Sequence, residues 1–376
     1  MRDRYLPLFA APVIAITIAA LQPSLAGQSA TARIAGQPAA AKAPTRGIPR
    51  TSDGRPDLQG TYDLGTLTPL ERAAGTPLVL TDEQARKLEQ GVADRNAKGD
   101  APIDANRQAP PKGGDGTPGP YGNVGGYNNF WLDPGSRYTV IDGQPRASLL
   151  IDPPDGRVPP LRADARDRNA ARSIAFTSDQ RANEDDPGFE GPEAYNDPEQ
   201  RPLGERCLVG FSSTSGPPIL PTYFYNNLHE IVQTPGQIVI LTEMVHDARI
   251  IRMNEAHLPR SIRKWLGDSV GRWDGDTLVV DTTNFTDKTR FRGSSENLHV
   301  VERFTRVDAR TLRYQFTIDD PTTWDRSWTG EYAWPATDER VFEYACHEGN
   351  YAMGNILRGA RLKEKDEAEK KSKPQP

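Results

Sequence analysis

The sequence predicts a mainly β protein: an antiparallel lipocalin-like β-barrel or sandwich with an N-terminal loop-rich wrap and one or two short helices. Three observations carry that expectation. Residues 266–320 contain two hairpins. Residues 270–273 enter Asp274-Gly275-Asp276 and the chain returns over 277–285; Asp-Gly between apolar runs is a strong hairpin signal, because Gly tolerates the positive φ of a tight turn. Residues 298–307 turn through Asp308-Ala309-Arg310 and return over 311–318. Secondly, short apolar runs bounded by turn residues recur through the second half of the chain, the pattern of a barrel or sandwich. Thirdly, 33 Gly and 33 Pro put much of the chain in turns and loops. A meander must cover its apolar face, and closure into a barrel also removes sticky edges.

The N-terminus reads as a signal peptide over residues 1–26. Arg2 and Arg4 precede an apolar run over 8–21, and Ser24-Leu25-Ala26 offers small residues for cleavage. The other reading is a membrane anchor, but the run is shorter than the roughly 20 apolar residues a span needs. The mature chain then holds no transmembrane segment and is exported, periplasmic or secreted. Residues 27–46 are Ala-, Gly- and Pro-rich, a flexible linker. A net charge of −5 with both signs interspersed argues against nucleic acid as a partner.

Residues 47–206 form the wrap. A short strand is expected at 58–62. Thr81, with Gln84 three residues on, makes a capping box that opens a helix over 81–97; Asp82 and Glu83 suit its positive end. Strands are expected at 127–132, 137–141 and 147–152, and a polar surface helix at 162–172. Residues 179–206, acidic and Pro-rich, form a long loop of the kind that covers a cavity. Residues 207–360 form the barrel domain, with strands at 227–233, 237–245, 248–253, 270–273, 277–285, 298–307, 311–318, 328–334 and 340–346. Residues 361–376 are highly charged and are expected to be disordered. Cys207 and Cys346 are the only two cysteines. In an exported chain they pair as a disulfide; the alternative is two free thiols, one beside His347.

The runs RASLLIDPPDGRVPPL, IVQTPGQIVILTEMVHDARII, LGDSVGRWDGDTLVVDTTNF and YACHEGNYAMGNILRGAR, with GRPDLQG near the start, resemble a widespread family of secreted, uncharacterised bacterial proteins. The resemblance spans nearly the whole mature chain. It implies that wrap and barrel belong together, and it implies no activity.

Candidate chemistry starts from the five histidines, His229, His246, His257, His299 and His347. All but His257 fall in the β core segments; for each alone, a structural role is the plain alternative. The candidate catalytic residues are His246, His299, His347, Glu243, Glu302, Glu348 and Arg303, with a carboxylate orienting an imidazole for acid–base work. Tyr344 and Tyr351 can donate protons. Such a set suits a hydrolase or lyase acting on a small polar metabolite or sugar derivative within the barrel cavity. Asp319-Asp320 with Glu343 can serve a glycosidase, or Asp-Asp-Pro can simply end a strand. If His246, His299 and His347 converge, they make a zinc site with an open position. In the non-catalytic alternative the barrel binds a ligand. The candidate ligand-binding residues are then Arg249, Arg272, Trp324, Trp328, Tyr314, Tyr351 and Asn350, with Tyr332 and Trp334 beside them; core packing is the other role for the rings. A structural envelope protein is the third class. No Walker A loop, dinucleotide-binding glycine pattern or Gly-x-Ser-x-Gly elbow is present.

Overall fold

The computed structural model describes residues 47–99, 132–172, 195–210, 216–222 and 225–372. The expected signal peptide and linker lie outside these residues, as do 127–131 and the 179–194 part of the long loop.

In chain order the elements are β1 (Gly60–Asp63), α1 (Asp82–Gly99), β2 (Val140–Ile141), β3 (Gln144–Pro145), β4 (Leu150–Asp152), α2 (Ala163–Arg172), β5 (Leu228–Gln233), β6 (Gln237–Thr242), β7 (Ala248–Met253), β8 (Asp268–Asp274), β9 (Thr277–Thr283), β10 (His299–Arg306), β11 (Thr311–Asp319), β12 (Trp328–Thr337), α3 (Cys346–Gly349) and α4 (Tyr351–Ser372). The fold is mainly β, as expected. Nine strands, β1 and β5 to β12, close into a barrel through the β1–β12 pairing, and β4 adds a tenth beside β12. β1 comes from the wrap, so the barrel begins well before residue 207.

Alternation builds the barrel. Burial along β10 and β11 switches at every residue. Register then places Phe304 opposite Tyr314 and Tyr314 opposite Tyr332, all facing inward. A side chain at Gly330 would strike the Phe316 ring, so glycine is what lets that ring lie across β12. Gly275 takes φ 58° in the β8–β9 turn, as the Asp-Gly pair predicts.

All neighbouring strands in the barrel are antiparallel except β7 and β8, which are parallel. A parallel step needs a return connection. Residues 254–267 provide it, and they carry His257 onto the outer wall over β8 and β9.

Four expectations are corrected. Residues 340–345 form no strand, and Cys346 opens the short turn α3. The charged tail is helical to Ser372 within α4, where alternating Arg, Lys and Glu make i,i+3 and i,i+4 pairs such as Arg361–Glu364. The strand expected over 237–245 stops at Thr242, because Val245 (φ 61°) and His246 (φ 48°) turn the chain out of the sheet. Among the described residues there are four α-helices, where one or two were expected.

Candidate functional site

The lumen of the barrel is packed with side chains. Tyr314 lies 4.8 Å from Trp334 and 5.5 Å from Tyr332, ring centre to ring centre. Trp324 stacks edge-on to Trp328 at 5.7 Å. These rings are at most 2% exposed, so they are core and line no lumen cavity. Among them sits a buried polar network. Arg249 donates to both oxygens of Glu302, Nη1 to Oε2 at 2.8 Å and Nη2 to Oε1 at 3.1 Å. Tyr314 donates to Glu302 Oε1 at 2.8 Å and accepts from the Ile219 N–H at 2.9 Å. Tyr332 donates to the Ile219 carbonyl at 3.0 Å. Burial, then the Glu302 charge, pushes the Tyr314 hydroxyl well above its ordinary pKa, so it stays a donor. The sequence brings Glu302, Arg249 and Tyr314 together, but as a buried tie for the 216–222 segment. His229, fully buried, packs against Trp334 at 5.8 Å.

A second group gathers at the disulfide. Cys207 and Cys346 are bonded, with Cα atoms 5.7 Å apart. His246 Nδ1 lies 3.0 Å from the Tyr344 carbonyl. Glu243 is buried and accepts from the Phe342 N–H at 3.0 Å, which holds the 340–345 segment in place. His347, Glu348 and Tyr351 are exposed. Asn350 donates to the Glu205 carbonyl at 2.7 Å. The turn at Val245–His246 therefore takes His246 out of the sheet.

His299 stands elsewhere, on the outer wall at the start of β10. Its Nε2 donates to Asp281 Oδ2 at 3.0 Å. The other oxygen of Asp281 accepts from His257 Nε2 at 2.9 Å. His257 Nδ1 faces Asp268 Oδ2 at 3.1 Å. Asp268 is fully buried and also accepts from Arg252 Nη2 (3.0 Å), the Leu258 N–H (2.9 Å) and Lys264 Nζ (3.3 Å). The chain Asp268–His257–Asp281–His299 thus runs from a buried anchor to a half-exposed imidazole. Burial acts to raise the Asp268 pKa, but the donors from Leu258, His257 and Lys264 and the Arg252 charge together hold it low. The His299 hydrogen bond is the largest cause holding Asp281 low. The same bond holds His299 above the ordinary histidine value, outweighing burial, with Asp319 adding to it. The candidate Arg303 pairs with Asp274 at 2.9 Å further along the wall, and Arg272 is exposed nearby.

Of this cluster the sequence singled out only His299 as catalytic. Asp281 and Asp268 were missed. A signal existed: consecutive hairpin strands are usually neighbours, and outward parity puts Asp281 on β9 diagonal to His299 on β10. The three-histidine zinc site is not formed: among the described residues no group of three His, Cys, Asp or Glu side chains is placed to hold a metal ion. No protein-family model matches the chain. No curated protein and no solved structure matches it either.

Proposed function

We propose that the protein is an exported enzyme, a hydrolase or lyase, that carries out acid–base chemistry on a small polar metabolite or sugar derivative at the outer-wall histidine chain. One observation carries this reading. His299 is anchored through Nε2 on Asp281, while its Nδ1 has no protein partner among the described residues and its side chain is 37% exposed. A positioned imidazole with one nitrogen held by a carboxylate and the other open can give or take a proton at Nδ1. In this arrangement Asp281 orients the ring and stabilises its charged form. His257 and Asp268 fix Asp281 in turn. The basis for export is the N-terminal charged and apolar run together with the Cys207–Cys346 bridge. No helix among the described residues is long and apolar enough to cross a membrane.

The test is a turnover screen of small esters, lactones and sugar acids, followed by His299→Ala and Asp281→Asn. Loss of His299 should lower kcat by about 10²–10⁴-fold, the usual worth of a positioned acid–base group. Asp281→Asn should lower kcat and shift the acidic or basic limb of the pH profile. Turnover that survives both substitutions would remove the proposal.

The non-catalytic alternative, a ligand-binding barrel protein, has one observation in its favour. A cleft of about 560 Å³ lies beside the disulfide, and Asn350 lines it.

A further inference from the structure

We propose that the Cys207–Cys346 bridge is a thiol-exchange site, at which a small cationic thiol enters the adjacent cleft and becomes bonded to Cys346. The proposal does not rest on the acid–base reading.

Both cysteines line the cleft. They differ in surroundings. Cys207 is 5% exposed and packs with Met244 and Val245, whereas Cys346 is half-buried in the α3 turn. A nucleophile from the cleft therefore meets Cys346 first. Cys207 is the sulfur equipped to leave. Asn350 Nδ2 lies 3.5 Å from Cys207 Sγ and 2.7 Å from the Glu205 carbonyl, one hydrogen for each. Asn350 Oδ1 accepts from the Met353 N–H at 3.2 Å, which fixes the amide. An N–H directed at Cys207 stabilises the negative charge that the sulfur takes on as it departs.

The step balances as an exchange. The thiolate of the ligand attacks Cys346 Sγ, a new sulfur–sulfur bond forms there, and the Cys207–Cys346 bond breaks with its electron pair moving to Cys207. A second molecule of the same thiol can then release Cys346 as a thiol, leaving the ligand oxidised to its own disulfide. Thiol is the reductant throughout.

Charge sets the class of thiol. Glu343 lines the cleft with no side-chain partner among the described residues, Glu205 is paired with Arg201, and the described lining holds no Lys, Arg or His. An aminothiol is attracted and a carboxylate-bearing thiol is repelled.

The experiment uses the full oxidised chain. Cysteamine and 3-mercaptopropionate are supplied at equal thiolate concentration without denaturant, free thiols are trapped with a maleimide, and peptides are mapped by mass spectrometry. The expected result is cysteamine on Cys346 and maleimide on Cys207. With each rate divided by that thiol's rate on a small uncharged disulfide, which removes the difference in intrinsic thiolate nucleophilicity, cysteamine should be favoured about threefold over the anionic thiol, the effect of one nearby charge in water. Glu343→Gln, at an exposed position, should bring the two normalised rates together. Asn350→Ala should slow exchange by about tenfold, the worth of one hydrogen bond to a charged sulfur. The adduct site and Glu343→Gln decide the matter even where Asn350→Ala fails to fold. An adduct on Cys207, equal normalised rates for the two thiols, or exchange only in denaturant would each overturn the proposal.

Discussion

A carboxylate and an imidazole joined by a hydrogen bond have their titrations tied together. Asp281 is held low and His299 is held high, each by the other. The signs differ. The lowered carboxylate adds stability above the unfolded value of about 4, and that stability fades as pH falls through the folded value. The raised imidazole adds stability below the unfolded value of about 6.5, and that fades as pH rises through its folded value. The pair therefore contributes most between about pH 4 and 6.5. His257, bonded to Asp281, and Asp319, whose charge acts on His299, are the ionisable groups that face the pair. Asp281→Asn should lower the His299 pKa and flatten the pH dependence of stability across that window. NMR titration of the ring protons checks this, and an unmoved His299 would show that the hydrogen bond is not made in solution. At this scale the sequence showed that His299 stood among polar neighbours. It did not show which neighbour mattered, because Asp281 and His257 lie 18 and 42 residues away along the chain and meet it only through strand register and a crossover connection.

Elements whose signals are local were the legible ones. The capping box over Thr81 is present as read: Gln84 N–H donates to Thr81 Oγ1 at 3.1 Å and Thr81 N–H donates to Gln84 Oε1 at 2.9 Å. α1 buries little beyond Ala85, so its stability leans on that cap. Thr81→Ala should cost about 1 kcal/mol, felt as faster amide exchange in the first turns of α1 and little change in global unfolding. Equal slowing or speeding across the barrel would mean that the helix is not an independent unit. The β8–β9 hairpin was legible for the same reason, since Asp274-Gly275 announces its turn within the span of the hairpin. Residues 340–346 misled because Val341, Phe342, Tyr344, Ala345 and Cys346 cluster as the apolar residues of a strand would. No sheet edge receives them. They are held instead by Glu243 and by the disulfide, two long-range ties that a local apolar cluster cannot express. The helix that follows is exposed along its charged half, where composition alone reads as disorder.

The whole molecule turns on what fills its barrel. Counting aromatic residues in the sequence suggested a lined cavity, but register sends Phe304, Tyr314, Tyr332 and Trp334 to the same interior, where they fill it. Into that interior the fold places one ion pair, with the Arg249 side chain 3% exposed and Glu302 fully buried. Such a pair contributes little net stability, because leaving water costs both charges heavily, but removing one partner strands the other. Glu302→Ala leaves the Arg249 guanidinium buried without its anion and frees Tyr314 from half of its hydrogen bonding. It should lower stability by about 3–5 kcal/mol. It should also loosen residues 216–222, because Tyr314 holds the Ile219 N–H. The double change Arg249→Met with Glu302→Leu removes both charges and keeps apolar volume in a dry site. It should recover most of the loss. Chemical denaturation of the wild type, the single variant and the double variant measures the difference. A Glu302→Ala protein within about 1 kcal/mol of wild type would mean that water reaches Arg249. The lumen would then be open enough to take a small ligand, and the search for a binding site would move from the outer wall to the inside of the barrel.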